Sequence, residues 1–184
     1  MRIIVILFIA FSVIAMGETK ERKFLESYSG QSTEQLVALA VDYRIDSLVL
    51  AFEQAIDQKS AKGRKLSQPE IDILAVQAME REVNNGGYHQ FFVNSSKEHA
   101  AGLPASLERI GCPVAAKIAS DSLRVLNIEG VVTDAKIAAA LKRLGEKAPA
   151  VFGGLDERYF KNQEPIADRL FAYIRAKKAE IVLR

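Results

Sequence analysis

The 184-residue sequence predicts an all-α protein: a single compact domain of six to eight helices behind an N-terminal export signal. Three observations carry this expectation. Apolar residues recur at three- and four-residue spacing from Ser32 to near the C-terminus. Two Ser-x-x-Gln/Glu capping boxes open the first two helical stretches. No segment offers repeated apolar/polar alternation between turn residues, the mark of paired strands.

Residues 1–17, "MRIIVILFIAFSVIAMG", carry one base, Arg2, ahead of an apolar run from Ile3 to Met16. That run is shorter than the ~20 residues of an ordinary membrane span. Ala15 and Gly17 place small residues at the −3 and −1 positions of a cleavage site before Glu18, so a signal peptide is expected. An uncleaved anchor and a buried N-terminal helix are the alternatives. Residues 18–31 are polar and mixed in charge, the composition of a flexible lead-in to a helical domain over 32–184.

Ser32 and Gln35 form the first capping box, followed by Val37, Val41, Ile45, Leu48, Phe52 and Ile56 at the spacing of one helix. The basic run Lys59–Lys65 ends it and reads as a solvated face, as does Arg175–Lys178. Ser67 and Glu70 form the second box, with Pro69 in the first turn where its missing N–H is harmless, and predict a helix to about Asn84. A short aromatic helix follows at Tyr88–Asn94, then one over Glu98–Ile110 stopped by Gly111. Pro113 opens the next, with Ala115, Ile118, Ala119, Ser122 and Leu126 on one face. Thr133 caps a helix bearing Ile137, Ala140, Leu141 and Leu144. "GEKAPAVFGGLDERYFKNQE" reads as a Gly/Pro-rich connector with at most one short helix, and "FGGLDE" within it as a turn. The last helix starts near Pro165, with Ile166, Leu170, Tyr173 and Ile174 inward.

Composition excludes several function classes. The chain carries a net charge of +2, which falls to +1 once Arg2 is removed with residues 1–17. That is too small for a nucleic-acid footprint and far from the acidic surface of a phosphate mimic. Cys112, the one cysteine, permits no intramolecular disulfide and reads as a small buried residue. His89 and His99 lack metal-ligand spacing, "FGGLDE" lacks the Lys and Ser/Thr of a phosphate loop, and no serine sits in a Gly-x-Ser-x-Gly setting.

The stretch "EREVNNGGYHQFFVNSS", Glu80 to Ser96, concentrates polar, helix-breaking and aromatic residues. Ile71, Leu74, Ala75, Ala78 and Met79 define the apolar face of the preceding helix, so Asn-Gly here stops a helix instead of turning a hairpin. Gly86 and Gly87 then let the chain reverse into the next helix. Eleven residues at 100° each bring Glu82 back to within about 20° of Ile71, aiming a carboxylate at the core. Burying it demands donors. Following backbone N–H groups, the Asn85 amide, Tyr88 and Gln90 are the expected ones, and Gln90 and Asn94 share a face four residues apart while Phe91 and Phe92 dock it. One reading is a structural clasp. The other is a pocket for catalysis or a small ligand around Glu82, Asn85, Tyr88, His89 and Gln90. Carboxamides are poor acid–base groups and no second carboxylate lies at fixed spacing, which favours the clasp.

The same stretch resembles the signature of a bacterial family of unknown function, E-x-x-N-G-G-[FY]-x-Q-[FY]-[FL]-x-N. Downstream resemblance runs through "ASLERIGCPVAAKIASDSL" and an L-D-x-x-Y-[FY] element at Leu155–Phe160, covering about residues 67–178. The motif residues carried over are Glu82, Asn84, Asn85, Gly86, Gly87, Tyr88, Gln90, Phe91 and Asn94. The family includes an all-helical dimeric DNA mimic that binds a transcriptional regulator in place of DNA. The resemblance implies an all-α fold, no cofactor, no metal and no catalytic residue. The expectation is therefore an exported, non-enzymatic domain that binds an unidentified protein and can form a homodimer. Neither nucleic acid nor membrane is an expected partner beyond signal-peptide targeting, and the near-neutral charge argues against DNA mimicry.

Overall fold

The computed structural model describes residues 21–183. The signal-peptide expectation for residues 1–17 therefore lies outside the described residues. Eight α-helices follow one another: α1 (Thr33–Ala38), α2 (Ile45–Ala61), α3 (Gln68–Val93), α4 (Leu103–Arg109), α5 (Pro113–Val125), α6 (Asp134–Leu144), α7 (Ala148–Lys161) and α8 (Ile166–Ala176). Three 3₁₀ turns lie between helices and a fourth follows α8, and the one β contact among the described residues is an isolated bridge between Lys23 and Tyr43. No helix among these residues is long and apolar enough to cross a membrane.

α3 is the central element, packed against α2, α4, α6, α7 and α8. Its burial is nearly all-round: Ile73, Leu74, Val76, Met79 and Val83 are covered, and so are Glu70, Asp72 and Glu82. A helix enclosed by neighbours needs no single apolar stripe, and this corrects the face read from sequence. Ile71, placed inward by the pattern, is 41% exposed, whereas Asp72, placed outward, is fully buried.

The Ser32–Gln35 box caps α1 as expected, the Gln35 N–H donating to Ser32 Oγ at 3.3 Å and the Ser32 N–H to Gln35 Oε1 at 2.8 Å. The single long helix expected after it is split. Lys23 N–H donates to the Asp42 carbonyl and Arg44 N–H to the Lys23 carbonyl, both at 2.8 Å, diverting groups a continuous helix would use. The chain restarts at Ile45 and buries Leu48, Phe52 and Ile56. Residues 21–31 run extended across this side, with the Tyr28 N–H donating to Gln54 Oε1 at 2.8 Å.

The helix expected over Glu98–Ile110 is likewise shorter, a 3₁₀ turn at Ser95–His99 followed by α4, because Gly102 and Pro104 make a fresh helix start. Its stop at Gly111 is as expected. Gly111 takes φ +84°, the Cys112 N–H reaches the Leu107 carbonyl and the Gly111 N–H that of Glu108, a Schellman closure. α5 buries all five residues assigned to its inner face, and Thr133 Oγ1 caps α6 through the Lys136 N–H.

The largest correction concerns α7. The segment read as connector and turn is a 14-residue helix with Gly153 and Gly154 in its interior. Each interior glycine costs about 1 kcal/mol relative to alanine. Burying Phe152, Leu155 and Tyr159 on one face offsets this, each contributing about 1.5–3 kcal/mol.

Candidate functional site: two helices joined at the glycine pair

The helical run of α3 breaks at Gly86 and Gly87 without leaving a loop. The expected helix stop is present: two helices meet directly at Gly86 and Gly87, and the second folds back so that Gln90 and Asn94 reach Glu82. Gly87 has φ +75° and ψ −176°, a region essentially restricted to glycine. A second constraint acts at the same atom: a Cβ on Gly87 would overlap the carboxylate of Asp156. That carboxylate accepts the Tyr88 N–H at 2.8 Å and so caps the second half of α3. Glycine is needed both for the backbone angle and to admit the cap.

Asp156 comes from the L-D-x-x-Y element on α7, and so does the next contact. Tyr159, one turn on, donates its hydroxyl to Glu80 and packs edge-on against Tyr88, ring centroids 6.2 Å apart. The Asn84 amide lies 3.5 Å from the same hydroxyl and donates to the Glu80 carbonyl at 2.6 Å. Tyr88 is fully buried, its hydroxyl meeting the Met79 sulfur at 3.7 Å. Phe91 and Phe92 lie beside it in the core, with Phe152 of α7 against Phe92.

Glu82 is buried as expected, and of its expected donors Gln90 is present while the others are replaced by Asn94 and Ser96. Gln90 Nε2 and Asn94 Nδ2 both donate to Oε2, at 3.1 and 2.7 Å, and Ser96 Oγ donates to Oε1 at 3.0 Å. Arg81, half-exposed, stands 3.6 Å from Oε1 and also pairs with Glu53. Asn85 is exposed and gives Glu82 nothing, and no backbone N–H serves it. The side-chain amides arrive first because the kink carries residues 90–96 back over the carboxylate.

The electrostatics separate three carboxylates into two kinds. Burial pushes Glu82 up, but the bonds from Asn94, Gln90 and Ser96 and the charge of Arg81 outweigh it and hold the group below the ordinary value. Glu80 is the reverse: burial dominates, the Tyr159 bond only partly opposes it, and the group is raised. Asp156 is raised too, burial outweighing the Tyr88 N–H. The Tyr159 and Tyr88 phenols are pushed well up, first by burial and then by neighbouring carboxylates.

A cleft of about 210 Å³ opens beside Glu80, Asn84, Tyr159 and Phe160. The five residues of the ligand-pocket reading (Glu82, Asn85, Tyr88, His89 and Gln90) do not line it. Glu82 and Gln90 meet, Tyr88 is sealed in the core, Asn85 faces solvent, and His89 lies against Phe152 with ring centroids 6.4 Å apart. Burial pushes the Cys112 thiol up to about 11, fitting a packed, unreactive residue. Among the described residues no three His, Cys, Asp or Glu side chains are grouped to hold a metal ion.

Three residues of this region were missed in the sequence. Ser96 gave no signal. Asp156 and Tyr159 did, since their three-residue spacing places both on one face of a helix, but the adjacent glycines argued for a turn.

The fold and site define a single all-helical domain in which the Gly86–Gly87 pair, capped by Asp156, joins two helices. The chain belongs to the DMP19-like protein family, related to DNA mimics, the family model matching residues 64–177. No curated protein and no solved structure matches the chain.

Proposed function

We propose that the domain works without catalysis, after export, by binding another protein, and that it does not act as a DNA mimic. The observation that carries this reading is the state of Glu82. Its two oxygens accept bonds from Gln90, Asn94 and Ser96, three of the roughly four a carboxylate can take, and these bonds stabilise the kink and favour the ionised group over one poised to exchange a proton. Family membership supports a binding role, and the pattern of residues 1–17 supports export. Near-neutral charge weighs against mimicry, which needs acidic groups arrayed like phosphates.

The test is crosslinking capture with the tagged mature chain in its native cell envelope. A partner protein recovered reproducibly, and lost when the bait is unfolded, is the expected result. Recovery of no reproducible partner, or recovery of a cytoplasmic DNA-binding regulator, would overturn the reading.

A further inference from the structure

The basic run Lys59–Lys65 takes no part in the motif, yet it borders a cavity of about 520 Å³. The cavity lies between the end of α2, the segment at Tyr28 that precedes α1, and Leu183 near the C-terminus. Ala55 and Leu183, both buried, supply apolar surface. Tyr28 forms a wall, fixed through its N–H to Gln54. Lys59, Lys62 and Arg64 supply charge, and among the described residues no acidic side chain lines the space.

The three cations are not equivalent. Lys59 is neutralised by the buried Glu70, its Nζ 2.7 and 2.8 Å from the two carboxylate oxygens. The side chains of Lys62 and Arg64 are exposed and, among the described residues, have no ion pair. A purely structural role for them exists, since both follow the negative end of the α2 dipole. That end is worth roughly half an elementary charge, however, against two unpaired positive ones. The surplus stands at the mouth of a concave, partly apolar space whose size falls within the roughly 300–1,000 Å³ of small-ligand clefts.

We propose that this cavity binds a phosphate monoester. Such a group carries about −1.5 to −2 charges at neutral pH, matching the two unpaired cations. Arg64 presents a planar fork suited to two phosphate oxygens, and Lys62 adds a point charge. Tyr28, Ala55 and Leu183 take the carbon part of the ester. The same chemistry is offered by a soluble organic phosphate monoester and by the monoester headgroup of phosphatidic acid. The site is remote from the glycine kink and stands independently of protein binding.

The experiment titrates the mature chain with glycerol 3-phosphate and, separately, with phosphatidylcholine vesicles with and without phosphatidic acid. The comparison is between Lys62→Ala/Arg64→Ala and a charge-matched control, Lys142→Ala/Lys147→Ala, at exposed positions elsewhere. Saturable binding weakened about tenfold or more by the first pair, and by less than about twofold by the control, is expected. Such binding of glycerol 3-phosphate assigns a soluble ester, and of phosphatidic acid vesicles alone a headgroup. No saturable binding in either arm, binding indifferent to Lys62 and Arg64, or equal loss in both double variants overturns the proposal.

Discussion

Asp72 and Glu82 lie ten residues apart on α3, both buried and both held below the ordinary carboxylate range, but by different means. Asp72 is fully enclosed. It accepts from Arg109 Nε at 2.8 Å, Tyr173 at 2.7 Å, Ser106 at 2.9 Å and Gln68 at 3.0 Å, tying α3 to α4 and α8. Glu82 lies beneath a thin cover of neutral donors drawn from residues 90–96, with Arg81 as a secondary charge. One carboxylate closes the tertiary fold, and the other closes a local kink. The lesson is that similar burial and similar acidity can serve different scales of organisation.

The contrast breaks most visibly at Asp72. Asp72→Ala removes the common acceptor of four donors and should destabilise by about 3–5 kcal/mol in chemical denaturation, nearer the lower figure because half-exposed Arg109 can turn to water. Gly87→Ala comes next, at about 1–3 kcal/mol from backbone strain alone. In an Asp156→Ala background the overlap with the carboxylate is gone, so the same change should cost less than in the wild type. Asp156→Ala by itself loses the cap on Tyr88 and should cost about 0.5–2 kcal/mol, read as a lower melting midpoint.

The smallest effect has the opposite sign. Asp72 and Glu82, lowered in the fold, contribute stability that is present above their ordinary values of 3.8 and 4.5 and is lost as pH falls through their folded values. Glu80, raised by burial, is penalised in the folded state once pH rises above its ordinary value of 4.5. Glu80→Gln keeps an acceptor for Tyr159 and should be more stable than wild type at pH 7 by under about 1 kcal/mol, the gain closing below pH 4.5. A gain that persisted in acid would show that burial of the charge is not its cause.

What the sequence disclosed follows the same division between local and long-range. Helical class, the Ser32 and Thr133 caps, the Gly111 stop and the inner face of α5 depend on residues within one or two turns, and all were legible. Burial of Glu82 was expected but for the wrong reason: it was aligned with Ile71, which is 41% exposed, and what covers the carboxylate is the segment of Gln90, Asn94 and Ser96 beyond the kink. Burial of Asp72 was not legible, since three of its partners lie 34, 37 and 101 positions away. α7 misled for a related reason. Its glycines are local and argue for a turn, while the packing of Phe152, Leu155 and Tyr159 that overrides them is tertiary. Asn85 misled in the other direction: it keeps the helical register, and the face it shares with Ile71 is turned to solvent.

Glu82 is a structural clasp that holds residues 90–96 over the kink. Equilibrium urea denaturation of Glu82→Ala at pH 7 tests this role most directly. The account predicts a loss of about 2–4 kcal/mol with an unchanged denaturant slope, because Gln90, Asn94 and Ser96 lose their acceptor. A midpoint identical to that of the wild type would contradict it.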